Sequence, residues 1–144
     1  MPSWVDEAVA EYSKRLPREL GFEFSQIPLA KRGKSTSEAQ TRKLECEALE
    51  NACPPGVRRI ALDVTGKSLS TEKLASQLID WQHDGRDVYF FIGGPDGLTA
   101  EFVGACDQRV SLSRLTLPHP MVRVILAEQM YRAWSINAGH PYHR

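Results

Sequence analysis

Residues 87–98 read DVYFFIGGPDGL, and this stretch decides the fold. Val88–Ile92 is the most strand-like run in the chain and apolar throughout. It runs straight into Gly93-Gly94-Pro95-Asp96-Gly97, a tight turn whose glycines let a ligand approach the backbone closely. No GK[ST] follows and the spacing is not GxGxxG, so neither phosphate-loop pattern applies. On its own the stretch reads either as a plain strand-to-helix turn or as a loop that cradles a nucleoside or a methionine-like chain.

Outward from this strand, strands and helices alternate. SWVDEAVAEYSKRL (3–16) reads as a helix capped by Ser3, with Asp6 and Glu7 in its first turn and Lys14 and Arg15 in its last. FEFSQIP (22–28) alternates apolar and polar residues, as a half-buried strand does. STSEAQTRKLECEALENA (35–52) reads as a polar helix with a Ser35/Glu38 capping box. RRIALDV (58–64) is a short buried strand, TGKSLS (65–70) a loop, and STEKLASQLIDWQHDG (70–85) an amphipathic helix ending at Gly85. A short helix after the PDG turn, a strand in QRVSLS (108–113), a loop in RLTLPHP and a long helix from Met121 to Gly139 complete the pattern. Pro120 is well placed to open that last helix. Such alternation predicts a single α/β layered domain with a mostly parallel sheet. Ligands of such sheets bind beyond the carboxyl ends of the strands, here after Asp63, Ile92 and Ser113.

Composition excludes several classes. The chain has 144 residues, 42% hydrophobic and 25% charged, and no apolar run approaches the ~18 residues of a membrane helix. Its first residues are early acids rather than a signal peptide's apolar segment. Cys46, Cys53 and Cys106 are an odd number without a CxxC, which points to a reducing cytoplasm and away from disulfides or zinc. No metal is expected. Net charge is zero, yet residues 109–144 hold five arginines against one acid, for +4. With a second basic cluster at Lys31, Arg32 and Lys34, an acidic partner such as RNA fits. Each of these cations reads equally well as a solvated charge.

Three further stretches carry candidate chemistry. In VSLSRLTLPHP (110–120), Leu112, Leu115 and Leu117 interleave with Ser111, Ser113 and Thr116, which suits a flat purine or, alternatively, the core. The long helix is apolar over more than one stripe, and a partner subunit is one candidate for the second side. Glu128 and Arg132 stand four apart, so they read as an ion pair, or Arg132 is aimed at a substrate phosphate. The tail AGHPYHR (138–144) gathers His140, Tyr142, His143 and Arg144; its His-x-x-His spacing is a weak metal signal with no carboxylate or cysteine cluster behind it.

Taken together, IGGPDGL, SLSRLTLPHPMVRVILAEQMYRAWSI and HPYHR, with KRGK, LD and DGRDV in order before them, resemble the RlmH family. These are bacterial large-subunit ribosomal RNA pseudouridine N3-methyltransferases of the SPOUT superfamily. The resemblance runs from about Pro2 to Arg144. It implies a deep C-terminal trefoil knot, a homodimer, and S-adenosylmethionine-dependent methylation of N3 of a pseudouridine in large-subunit ribosomal RNA, free or in an assembled ribosome. It places the cofactor on Leu62, on Gly93, Gly94 and Gly97, and on Ser113, Arg114, Leu115, Thr116, Leu117 and Pro118. Substrate handling is assigned to Tyr142, His143, Arg144, Arg132 and His119, with the tail of one subunit completing its partner's site. The short hydrophobic strand with which the family usually opens has no counterpart before Met1-Pro2, so the sheet is expected to lack it. A non-catalytic RNA- or nucleotide-binding dimeric module, or a purely structural dimer, are the rival readings; binding of S-adenosylmethionine separates them.

Overall fold

The computed structural model describes every residue except 1, 29–32, 34–36, 95 and 144. The basic cluster Lys31, Arg32 and Lys34, the cap residue Ser35, and Arg144 of the tail lie outside the described residues. The chain divides into two compact units. One contains Gln26–Ser68 and Arg86–His119, and the other Met1–Ser25, Leu69–Gly85 and Pro120–Arg144.

The first unit is built on a three-stranded, all-parallel sheet. Strand β1 (Arg58–Ser68) lies between β2 (Val88–Ile92) and β3 (Gln108–Ser111), in the order β2-β1-β3. Ile60 and Ala61 at its centre are fully buried, as the apolar reading of RRIALDV requires. Helix α2 (Glu38–Ala52) and the short α4 (Ala100–Gly104) supply Cys46 and Phe102, which cluster with Phe91 of β2. Phe91 and Phe102 meet edge to face at 5.0 Å, and the Arg59 guanidinium lies 5.3 Å from each ring while pairing with Glu50. Cys53 and Cys106 pack on the same cluster, and burial pushes both thiols up.

The second unit is helical: α1 (Ser3–Ser13), α3 (Thr71–Asp84) and α5, which spans His119–Asn137 and contributes all but its first residue here. Thr71 Oγ1 donates to Gln129 Oε1 at 2.6 Å and Asn137 Nδ2 to the Ala75 carbonyl at 2.9 Å, joining α3 to α5. Tyr12 of α1 lies against Tyr131, ring centroids 6.4 Å apart. From Val122 to Ile136 no residue of α5 is exposed, consistent with a helix apolar on more than one side. Among the described residues no helix is long and apolar enough to cross a membrane.

Four local expectations are corrected. Ser3 does not cap α1: Pro2 occupies the cap position and makes no side-chain bond, while Lys14 and Arg15 lie just past the last turn and pair with Glu11. The capping box of α2 is Ser37 with Gln40, not Ser35 with Glu38, because the helix starts two residues later. FEFSQIP has Phe22 and Phe24 half-buried and Glu23 and Ser25 exposed, but it forms no strand, and among the described residues it pairs with none. The alternation was there; the pairing that turns an extended segment into a strand is non-local. Finally, TGKSLS is not all loop, since β1 continues to Ser68. The chain leaves the β3 ladder after Leu62 and rejoins it at Lys67, both opposite Val110.

Gly66 makes that return possible. A Cβ there would stand 2.8 Å from backbone atoms of both Arg109 and Val110. Backbone cannot step aside as a side chain can, so Gly66→Ala is expected to destabilise the protein by about 1–3 kcal/mol. Chemical denaturation of the variant measures this; an unchanged midpoint would show that β3 does not press on Gly66.

Candidate active site

The parallel register determines where the loops emerge. Leu62 pairs with Ile92 on one side and with Val110 on the other. These three positions lie at one level of the sheet, but only β2 ends there: β1 runs on to Ser68 and β3 to Ser111, so the strand end expected after Asp63 is a bulge within β1. Asp63 closes its turn with a 3.1 Å bond from the Thr65 N–H to its carboxylate.

The second loop is held from both ends. Gly97 N–H donates to the Gly94 carbonyl at 2.9 Å, and Arg42 Nε of α2 donates to the Asp96 carbonyl at 2.8 Å. Gly93 and Gly94 have no room for a side chain: a Cβ on Gly93 would lie 2.8 Å from the Gly97 carbonyl carbon, and one on Gly94 2.6 Å from Glu45 Oε1. Glu45 is a buried carboxylate of α2 and was not singled out in the sequence. In the third loop, Ser111 Oγ donates to the Ser113 carbonyl at 2.7 Å and Leu115 N–H to Ser113 Oγ at 2.9 Å. Leu112 and Leu117 are half-buried, and Leu115 is 73% exposed, so the core reading is excluded for Leu115. Arg114, Thr116 and Pro118 are exposed as well. His119 Nδ1 sits 2.8 Å from the Gly93 carbonyl and ties the third loop to the second. His119 thus belongs with the glycine loop, and all the described residues proposed for the cofactor lie in this unit.

The tail residues assemble separately, in the helical unit. The tail is docked rather than frayed. Tyr142 OH donates to Glu128 Oε1 at 3.1 Å, and the Tyr142 ring meets Tyr131 at 4.6 Å. Arg132 Nε and Nη2 reach the same Glu128 oxygen at 2.7 and 2.5 Å, and its guanidinium lies 4.8 Å from the centre of the Tyr142 ring. The i,i+4 spacing therefore does form the ion pair. Arg132 Nη1 is 3.2 Å from His143 Nδ1, and His143 Nε2 is 3.2 Å from Glu72 Oε1 at the start of α3. Arginine only donates, so Nδ1 must be the accepting nitrogen, and the ring proton sits on Nε2, facing Glu72. No pattern in the sequence marks Glu72, Thr71 or Gln129 as members of this group. Among the described residues no cluster of histidine, cysteine or carboxylate could hold a metal ion.

A family described as "Predicted SPOUT methyltransferase" matches residues 1–143. The chain belongs to the SPOUT methyltransferase family. It is 50% identical over all 144 residues to the ribosomal RNA large subunit methyltransferase H of Marinomonas sp. (strain MWYL1), covering 93% of that protein. It is 51% identical over its full length to the proteins of the same name from Saccharophagus degradans and Bordetella pertussis, covering 93% and 92% of them.

Burial, the hydrogen bond with Tyr12 and the Glu128 charge push the Tyr142 phenol up from 10.0 to about 12. A raised phenol pKa stabilises the docked tail fully below the ordinary value, and that stability is lost as pH rises through about 12. Subtracting the spectrophotometric titration of Tyr142→Phe from that of the unmodified protein should isolate one tyrosine ionising near 12. A difference curve centred near 10 would mean the tail is not docked on Glu128.

Proposed function

We propose that this protein methylates N3 of a pseudouridine in large-subunit ribosomal RNA, using S-adenosylmethionine, and that it works as a homodimer in the bacterial cytoplasm with the chain knotted near its C-terminus. The observation that carries the reading is the match along the full chain to relatives named ribosomal RNA large subunit methyltransferases H; the glycine loop without room for side chains and the contacts of Tyr142 with Glu128 and of His143 with Arg132 support it.

The glycine loop and the loop after β3 suit the cofactor chemically. Gly93, Gly94 and Gly97 present backbone without side chains, and the exposed Leu115 beside Ser113 and Thr116 offers apolar surface with polar groups at hand. Leu62, Arg114, Leu117 and Pro118 complete that set. When bound, S-adenosylmethionine supplies an electrophilic methyl group on a sulfonium. The protein has then to orient the base and take the proton from N3.

His143 is assigned the proton. Its Nδ1 carries the lone pair, and Glu72 on the opposite nitrogen supports the imidazolium that forms, the role a carboxylate plays behind any catalytic histidine. As Arg132 Nη1 turns from Nδ1 to a carbonyl oxygen of the base, the N3–H bond breaks. The proton passes to Nδ1, and the electron pair stays on N3, where Arg132 stabilises the anion. Tyr142, a protonated donor, offers its ring for stacking against a base. Arg144 is assigned to a backbone phosphate, and His119 to fixing Gly93 rather than to proton transfer.

Two experiments test this reading. Removing Tyr142–Arg144 is expected to lower methyl transfer at least about 100-fold while the truncated protein still binds S-adenosylmethionine by calorimetry; undiminished turnover would rule out the tail. Gly94→Ala is expected to weaken S-adenosylmethionine binding by about tenfold or more, since the added methyl displaces either the loop or Glu45. Unaltered affinity in that variant would move the cofactor elsewhere.

A further inference from the structure

Glu128 is not among the residues assigned to cofactor or substrate, yet every group of the docked tail depends on it. Its Oε1 accepts from Tyr142 OH, Arg132 Nε and Arg132 Nη2, and its Oε2 accepts from Gln129 Nε2 at 2.7 Å. Gln129 is in turn fixed by Thr71 Oγ1 of α3. The four groups that converge on this carboxylate all donate. Only an ionised carboxylate can accept at both ends; an amide of the same shape would turn an NH2 towards a donor. The pair is also shielded, with side-chain exposures of 18% for Glu128 and 27% for Arg132. An ordinary exposed i,i+4 pair on a helix holds nothing else and contributes little. Here the same oxygen joins the helix to a residue 14 positions further along the chain.

We infer that Glu128 is a positioning residue for methyl transfer: a single carboxylate oxygen sets Tyr142 and Arg132 against one another and, through Arg132, sets the tautomer of His143. The inference rests on the reading of the tail given above. Glu128 does not touch the substrate. It acts by keeping the Arg132 guanidinium from rotating freely and by giving the Tyr142 hydroxyl one acceptor, so the three tail groups meet the base in a preset arrangement. Without that carboxylate, Arg132 loses its counter-charge and Nδ1 of His143 loses a fixed donor.

Glu128→Gln is the direct test, read three ways. Single-turnover methyl transfer to ribosomal RNA is expected to fall roughly 10- to 100-fold, as for lost orientation at a reacting centre. Affinity for S-adenosylmethionine by calorimetry is expected to stay within about twofold. Nitrogen-15 NMR of the His143 ring is expected to lose the fixed Nε2–H signature, and the Tyr142 phenol to ionise closer to 10.0 than to about 12. A single-turnover rate within about twofold of the unmodified protein, or unmoved His143 and Tyr142 signals, would overturn the inference. Should Glu128→Gln fail to fold, Gln129→Ala leaves the charge in place while removing the bond to Oε2 together with the one from Thr71 Oγ1; the rate should then fall about fivefold, the worth of about one hydrogen bond. An unchanged rate there also contradicts the inference. If removal of Tyr142–Arg144 leaves turnover intact, the tail reading itself falls. If that removal abolishes turnover while Glu128→Gln is active, only the role of Glu128 falls.

Discussion

The parallel pairing of β1 with both its neighbours is the constraint on which the rest depends. A parallel ladder holds its strands in step, and with Leu62 opposite Ile92 and Val110 the bulge of β1, the glycine turn after β2 and the end of β3 start from one level of the sheet. No single loop makes a site. The Asx turn at Asp63, the glycine turn after Ile92 and the serine-held loop after Ser111 become neighbours only because the register is in step. The central strand carries a cost for this. Leu62 and Lys67 face the same residue of β3, so the chain bulges out between them and returns at Gly66, pressed against the β3 backbone. Core packing behind the sheet, with Phe91 against Phe102 and Arg59 over both rings, holds β2 and α4 in place beneath the loops.

The helical unit solves a different problem, that of ordering a chain end. Terminal residues usually fray because few contacts offset the entropy of fixing them. Here Tyr142 is gripped on its ring by Tyr131 and the Arg132 guanidinium and on its hydroxyl by Glu128, while His143 bridges Arg132 and Glu72. One carboxylate therefore converts a helix surface into a docking point, and the groups it gathers are donors with one basic nitrogen among them. That composition suits a reaction in which a weakly acidic N–H must be lost and the resulting anion held. It does not suit a nucleophile supplied by the protein.

Much of this was legible in the sequence, for reasons that can be named. The apolar run ending at Ile92, the helix ended by Gly85 and the long helix ended before Gly139 are local signals, and each element formed there, the long helix starting two residues earlier than expected, at His119. Of the three expected strand-end loops, those after Ile92 and Ser113 follow strands that end at or near them, whereas β1 runs past Asp63 to Ser68. What was not legible is non-local. FEFSQIP alternates as a strand does, but alternation carries no information about a partner strand, and among the described residues it pairs with none. The choice between Ser35 and Ser37 as cap turns on where the first helical turn closes, and both spacings fit. In the site, the Glu128–Arg132 pair could be read from its spacing. The hydrogen bond to Tyr142 14 residues away, the contact of Glu72 with His143 and the pressure of Glu45 on Gly94 arise from tertiary packing, which leaves no periodic trace. The resemblance added what spacing does not carry, the expectation that the loops serve a cofactor.

The most direct measurement is methyl transfer to ribosomes from a bacterial strain that lacks the modification, with the product nucleoside identified by mass spectrometry. The account predicts that the purified protein, given S-adenosylmethionine, adds one methyl group to N3 of a pseudouridine in the large-subunit RNA. A methyl group on a different base or atom, or binding of the ribosome without any transfer, would contradict it.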